Sequence, residues 1–506
     1  MLLLTGSLLS FCSLTAQNSY TNPVIAGDLA DPTVIRIGEY YYATATSSEW
    51  APHYPMFRSD DLVNWKQIGH IFDNKPTWTL SSFWAPELYY HNGKLFAYYT
   101  ARNQQGVSYI GVATADSPES PFTDHGVIVE YGTEAIDAFI LEDAGKLYIS
   151  WKAYGLDNRP IELLGCQLSD DGLRLEGEPF TLLRDDEGIG MEGQHWMKEG
   201  DYYYMIYSPK SCCGPGSDYQ VYVARSRHLK GPYQKDADNP ILQGGGDVLS
   251  CGHGTLTTTP DGRMYYLFHG YLKEAAFYGG RQVMLQEMIF DEQQRLRFKS
   301  GNIVQLEQPM PFEGTTQQPK QDIHDRFDSP QLPLYWTWNY PFNEVTVKTG
   351  NGSLQLSGTP KGKTHNGAAL CLRPTSPNYL YETQLTTSGE GISGLTMYGD
   401  NDNLLIFGCR NQQLYLIAIR DGKEESVWTQ PIATDSPTLR IEVNDGCLCS
   451  FYYLNEEQQW IQPDGVALKK DFSYLVRWDR VARPGLYHQG EGDSSGSFSF
   501  FKLTNR

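Results

Sequence analysis

Five acidic or imidazole side chains recur at intervals of about 50 residues through the first 310 positions: Asp31, Glu87, Asp137, Glu192 and His253. Each stands six to nine residues ahead of a glycine, namely Gly38, Gly93, Gly145, Gly200 and Gly262. Aligned on those glycines, the five fall at nearly one phase of a repeat, and four of them are carboxylates. Carboxyl groups gathered in one pocket suit hydrolysis of a glycosidic bond. One acid, kept protonated by its surroundings, donates to the leaving oxygen, and one ionised base activates water.

Taken singly, most of these residues have simpler explanations. Asp31 precedes Pro32, a common turn or cap arrangement, and Glu192 precedes Gly193 in the glycine-rich GIGMEGQH. His253, between Gly252 and Gly254, reads more readily as a hydrogen-bonded structural histidine than as a metal ligand. Asp137 differs, because Ile136, Ala138 and Phe139 flank it and a carboxylate in an apolar run must be paired or functional. Turn chemistry does not place acids at one phase of separate repeats, so Asp31, Asp137 and Glu192 are assigned together as catalytic. Trp50, Trp84, Phe139, Trp151, Tyr154 and Trp196 lie close to the same positions, and flat rings stack on sugar faces. Core packing accounts for most of them, leaving Trp84 and Phe139 as the expected substrate contacts. Arg281, in YGGRQVMLQE, is expected to bond sugar hydroxyls or a carboxylate, the alternative being a surface ion pair.

The elements that must position these groups are strands. DPTVIRIGEYYYATAT (31–46), PELYYHNGKLFAYYTA (86–101), IDAFILEDAGKLYISWKA (136–153), EGQHWMKEGDYYYMIYS (192–208) and GHGTLTTTPDGRMYYLFHG (252–270) each run as a strand, turn at glycine and return aromatic-rich. A strand closed by a Ser/Asp-rich turn follows four of them, as in FRSDDLVNW (57–65), giving units of about four strands. Five such units predict an all-β, five-bladed propeller over residues 20–310, in which equivalent blade ends meet at the axis. PFEGTTQQPKQ (311–321) is polar and unpatterned and reads as a linker. From Asp322 to Arg506, short alternating runs such as SLQLSG, YETQLTT and TLRIEV predict an antiparallel β-sandwich.

Composition narrows the function. The 506 residues are 40% hydrophobic and 13% aromatic, which excludes a disordered chain, and the net charge of -20 argues against nucleic acid and anionic membranes as partners. Residues 1–16, MLLLTGSLLSFCSLTA, are too short to span a bilayer and read as an export signal cleaved before Gln17. A lipoprotein signal ending at Cys12 is disfavoured by Phe11. The protein is therefore expected in the periplasm or outside the cell.

NPVIAGDLADPTVIRIGEYYYATAT, FRSDDLVNW, WAPEL, EAIDAFILEDAGKLYISW, EGQHWMKEGDYYYMIYS and GHGT together resemble glycoside hydrolase family 43, whose members are five-bladed β-propellers. The resemblance implies Asp31 as general base, Glu192 as general acid, and Asp137 as the carboxylate that raises the pKa of the acid and orients it. It implies inversion at the anomeric carbon and removal of α-L-arabinofuranosyl or β-D-xylosyl groups from plant cell-wall polysaccharides such as arabinoxylan, arabinan or pectin side chains. No cofactor is required on this reading. Several members carry a metal or water site on the axis at the position of His253, often calcium. FDSPQLPLYWTWN and RPGLYHQGEGDSSGSFSFFKL resemble the concanavalin-like jelly roll that follows the catalytic domain in β-xylosidases of the family. SPKSCCGPGSDY (208–219) is similar to a Cys-Cys segment of arabinan-acting relatives, as a disulfide or as two thiols. The rival reading is a catalytically silent carbohydrate-binding propeller, against which the retention of three carboxylates argues.

Overall fold

The computed structural model describes residues 18–154, 159–275, 277–319, 322–340, 343–361, 367–387, 389–466 and 470–506. The expected export signal, residues 1–16, and the last two residues of the expected linker lie outside them. The described residues form strands and two single-turn 3-10 helices, with no α-helix.

Five units built on four strands, the fourth with an added short strand Leu242–Gln243, follow one another from Thr33 to Phe298. The first is a meander of Thr33–Ile37, Tyr40–Thr44, His53–Ser59 and Lys66–Phe72. The second and third share one eight-stranded sheet, joined where Glu134 pairs in parallel with Ser108. The fourth begins at Glu192–Glu199 and the fifth at Val248–Thr258. The five turn glycines anticipated from sequence all have positive φ, from 57° at Gly200 to 85° at Gly262. A Cβ at any of them would meet nothing within 4 Å, so backbone conformation and not crowding calls for glycine there.

Apolar side chains fill the space between blades. Tyr42 and Met56 of the first blade meet Phe83 and Tyr99 of the second, and Tyr98 and Val112 of the second meet Ile149 and Trp151 of the third. Phe139 and Leu163 meet Trp196 and Met205, and Ile206 and Val221 meet Phe268 and Met284. Leu267 and Leu285 of the fifth blade close the ring on Val34 and Tyr41 of the first. Each blade is thus covered on both faces, which is why its strands carry apolar residues in runs instead of strict alternation. The start of the chain reinforces closure: Ser19–Thr21 pairs with Glu307–Pro309, and the Tyr20 hydroxyl and the Asn22 amide both donate to the Leu285 carbonyl.

Residues from Ile323 onward form a nine-stranded and a seven-stranded antiparallel sheet. Between them lies a core of residues such as Trp336, Leu356, Tyr381, Phe407, Phe451 and Phe501. The outer face of the seven-stranded sheet is also apolar: Ala369, Cys371, Ile392, Tyr398, Ile406 and Tyr487 surround Trp50, which the first blade supplies. The two parts therefore share a core residue, and Ala51 pairs with Trp338 beside it.

Candidate active site

At the head of every innermost strand the backbone enters the left-handed region, and in the second blade Ser82 does so as well. The residues that do so blade by blade are Asp31 (φ 54°), Ala85 (φ 33°), Asp137 (φ 60°), Gly193 (φ 61°) and His253 (φ 41°). In the second to fifth blades the ladder register breaks at this point, between Trp84 and Glu87, Ile136 and Phe139, Glu192 and His195, and Gly252 and Gly254. The bulge turns each of these N–H groups out of its own ladder, and a side chain catches it. All five catches come from the blade before, four of them from a hydroxyl or imidazole: His269 Nδ1 takes Asp31 N at 3.0 Å, Thr46 takes Ala85 N at 2.8 Å, Thr100 takes Asp137 N at 3.1 Å and Ser208 takes His253 N at 2.8 Å. Gly193 N donates instead to Asp137 Oδ2 at 2.9 Å.

This register refines the sequence alignment. The backbone equivalents of Asp31 are Ala85 and Gly193, so Glu192 stands one residue before the bulge and Glu87 two after it. Glu87 is buried between the first two blades, accepts a 2.7 Å hydrogen bond from Thr33 and is pushed up to about 8 by burial.

Asp31 and Asp137 converge on one imidazole. His253 Nδ1 lies 3.3 Å from Asp31 Oδ1 and 3.9 Å from Asp137 Oδ2. Burial disfavours the charge on His253, yet Asp31, Asp137 and Glu192 outweigh it and raise the ring to about 9. Burial likewise favours neutral Asp31, but Arg281, His253 and His269 hold its carboxyl well below the ordinary range. Arg281 Nη1 is 3.4 Å from Asp31 Oδ1 and Thr46 donates to Asp31 Oδ2 at 2.7 Å, so this carboxylate is fixed and ionised. The carboxylate partner anticipated for Arg281 is therefore Asp31. Asp137 goes the other way: burial, with the negative charges of Glu192 and Asp31, pushes it up to about 7 against the pull of His253 and Lys152.

Glu192 is held by two side chains that the sequence reading did not single out. Lys152 Nζ donates to Oε2 at 2.9 Å and the Tyr219 hydroxyl to Oε1 at 3.1 Å, while Glu134 Oε2 lies 3.7 Å from the same ammonium. Lys152 was legible as a cation beside Trp151 and Ala153 in the strand KLYISWKAY, a charge in need of partners where the strand is buried. Two glycines make the cluster possible. A Cβ on Gly193 would lie 2.6 Å from the His253 ring, and one on Gly252 would lie 2.3 Å from the Tyr219 ring. The GHG motif and the Glu192-Gly193 pair are thus the places where rings pack directly against backbone.

The expected aromatic contacts divide. Trp84, half-buried, carries the Arg102 guanidinium 4.8 Å from its ring centre and meets Trp478 edge-on at 5.8 Å. Phe139, two residues past its bulge, turns into the apolar layer between the third and fourth blades and packs on His195 at 4.3 Å. Trp151 and Trp196 are buried in the same kind of layer, Trp50 packs on the outer face of the seven-stranded sheet, and Tyr154 is exposed. Trp478 belongs to the sandwich. Its neighbour Asp479 accepts from Arg281 Nη2 through its carbonyl at 2.7 Å, and Val481 N donates to Asp28 at 3.3 Å. Cys212 and Cys213 are joined to each other, and a Cβ on Gly214 beside them would lie 3.0 Å from the Trp478 carbonyl.

The resemblance allowed a calcium near His253. Among the described residues no group of three or more His, Cys, Asp or Glu side chains is arranged to hold a metal ion, and His253 is committed to two carboxylates. Among the described residues no helix is long and apolar enough to cross a membrane.

Residues 20–294 match the family model described as Glycosyl hydrolases family 43, and residues 324–503 match that of the beta xylosidase C-terminal concanavalin A-like domain. The chain is 30% identical over 393 residues to a non-reducing end α-L-arabinofuranosidase of Bacteroides ovatus, covering 72% of this chain and 70% of the relative. It is 27% identical over 373 residues to a xylan 1,3-β-xylosidase of a Vibrio species, covering 67% and 68%. Against an extracellular exo-α-(1→5)-L-arabinofuranosidase of Cellvibrio japonicus it is 30% identical over 285 residues, 48% of this chain and 79% of the relative. The crystal structure of a family 43 protein of Bacillus licheniformis superposes with a TM-score of 0.82 at 23% identity, over 97% of this chain and all of that one, which shows the fold. Matched along the propeller and again along the sandwich, the chain belongs to glycosyl hydrolase family 43 and is a glycoside hydrolase.

Proposed function

We propose that the protein is an exported enzyme that removes α-L-arabinofuranosyl groups, or β-D-xylosyl groups, from plant cell-wall polysaccharide with inversion at the anomeric carbon. The observation that carries this reading is the meeting of Asp31 and Asp137 on one nitrogen of His253, with Glu192 on the residue whose neighbour donates to Asp137. Relatives named as arabinofuranosidases and a xylosidase support these two sugars, whose hydroxyls are similarly arranged. The family match to a β-xylosidase sandwich supports an enzyme over a silent sugar-binding propeller.

In the mechanism, ionised Asp31 accepts a proton from the attacking water as its oxygen bonds to the anomeric carbon. Glu192 gives its proton to the departing glycosidic oxygen, so one proton is taken up and one released while the carbon inverts. Asp137, pushed up to about 7, keeps a proton in the buried carboxyl pair near neutrality and fixes the Glu192 backbone through Gly193 N. Arg281 and His253 keep the base ionised while it waits for water.

Release of 4-nitrophenol from the arabinofuranoside and the xyloside tests the activity, and release from neither would favour the silent propeller. Glu192→Gln should lower turnover of natural glycosides by about 10²- to 10⁴-fold and that of aryl glycosides with good leaving groups far less. Asp31→Asn should abolish both, since water activation is common to them. Equal losses for Glu192→Gln on both substrate types would reject Glu192 as the acid.

A further inference from the structure

Where the first blade meets the sandwich, a crevice of about 10 Å³, room for one water-sized particle, is lined by Leu29, Trp50, Pro52, His70, Arg373 and Arg483 among others. Its two guanidinium groups are unusual for a protein interior. Neither has a carboxylate within 4 Å among the described ion pairs, and Nη1 of Arg373 and Nε of Arg483 are buried with no hydrogen-bond partner. Arg483 is only 4% exposed; its Nη1 donates to Thr337 at 2.9 Å and its guanidinium lies 4.5 Å over the Trp50 ring, which satisfies one donor and offers no counter-charge. Arg373 has its guanidinium 5.4 Å from the Phe57 ring centre.

The charges around the crevice do not balance. Asp28 is the one carboxylate felt by both arginines, and its two oxygens are already taken by Arg281 N at 3.0 Å and Val481 N at 3.3 Å. Arg281 and Arg480 have their own partners, Asp31 and Asp479. His53 and His70 are neutral, lowered to about 3 and about 4 chiefly by burial. One carboxylate faces two guanidiniums, and burial together with their mutual repulsion weakens the hold of Arg483 on its proton, to about 9.

We propose that this crevice is a binding site for one monovalent halide ion, seated between Arg373 and Arg483 at the seam of propeller and sandwich. An ion of that size and charge cancels the surplus and gives the orphaned N–H donors an acceptor, which a neutral water does only in part. Phosphate and sulfate are too large for the space. Guanidinium groups are weakly hydrated, as large halides are, so the exchange of water for ion costs little here. The inner wall of the crevice includes Thr46, whose hydroxyl holds Asp31, so occupancy would brace the active-site edge as well as the seam.

The test is thermal melting of the full chain in sodium chloride against sodium gluconate at equal ionic strength. Chloride at about ten times its dissociation constant should raise the melting temperature by about 1–2 °C, saturably, and gluconate should not. Arg373→Met, a change at the less buried of the two arginines, should remove the difference between the salts. Crystals of the unaltered protein soaked in bromide should show an anomalous peak between the two guanidiniums, a measurement that stands even if the variant does not fold. Identical melting in both salts, a difference that survives in Arg373→Met, or bromide peaks elsewhere and none in the crevice would each overturn the proposal.

Discussion

At the scale of single residues, the site sets a buried cation against the acid. Lys152 Nζ lies 2.9 Å from Glu192 Oε2, and Asp137, which accepts from Gly193 N, brings a carboxyl to the same pocket. The two should therefore move the pH profile in opposite senses. Lys152→Met should carry the basic limb of kcat upward, because a positive charge leaves the pocket, and Asp137→Asn should carry it downward, because a negative one does. Activity measured from pH 4 to 9 for both variants checks this, and shifts of one sign would show that only general packing was disturbed. Asp31, Asp137 and Glu192 could be found from the sequence because an acid in an apolar run or at a repeated phase lacks a solvent-side explanation. Lys152 and Tyr219 could not be connected to Glu192, since their meeting depends on which side chains face one another across the third and fourth blades.

At the scale of the element, the left-handed bulge is the device that repeats, and carboxylates are what it carries in two blades out of five. Gly193→Ala tests its geometry at the tightest place. The new methyl would press on the His253 ring, and alanine at φ 61° costs about 1–2 kcal/mol before any contact is counted. The variant should remain folded, melt several degrees lower and lose at least about tenfold in kcat; unchanged kcat would mean that His253 does not need its present position. The loop holding Trp478 is a second such element. Trp478 is 56% exposed and touches Trp84 edge-on, so Trp478→Ala should leave the melting temperature nearly unchanged. It should lower kcat/KM for oligosaccharides about tenfold if the two rings frame the departing part of the substrate. A loss confined to stability would assign the ring to packing alone.

At the scale of the whole molecule, burial of ionisable groups makes stability depend on pH in a predictable sense. His253 is raised from 6.5 to about 9 and Glu87 from 4.5 to about 8. Between pH 7 and 8.5 the folded protein keeps protons that the unfolded chain has released, so stability falls as pH rises, by up to about 1.4 kcal/mol per pH unit for each such proton. His53 and His195, lowered to about 3 by burial, act in the opposite sense and only as pH falls through their unfolded value of 6.5. Thermal melts at pH 7, 7.75 and 8.5 should decline, with a shallower slope in Glu87→Gln; a flat profile would contradict the charge states assigned here. The sandwich takes part in this assembly. With Trp50 on its outer sheet face and the Asp479 carbonyl on Arg281, its removal would strip a partner from the group that holds Asp31, although every proposed catalytic carboxylate precedes it.

The repeat of hairpins, the turn glycines and the change of pattern after about residue 310 were legible because local backbone preference and side-chain alternation are written in consecutive residues. The same repeat brought Asp31, Asp137 and Glu192 together, since blade equivalence turns a sequence interval into a shared axis. The true backbone register, with Ala85 and Gly193 as the equivalents of Asp31, was hidden because a bulge adds one residue to a strand without altering its composition. Phe139 illustrates the consequence: two residues beyond the bulge its ring faces the neighbouring blade and not the pocket, a direction that pairing sets and residue type does not. NLLIFGC is buried throughout, unlike the alternating TLRIEVN, because its sheet packs on a core at one face and toward the propeller at the other. Contacts between residues hundreds of positions apart, such as Arg281 with Asp479 or Trp84 with Trp478, leave no local trace, and tertiary structure alone decided them.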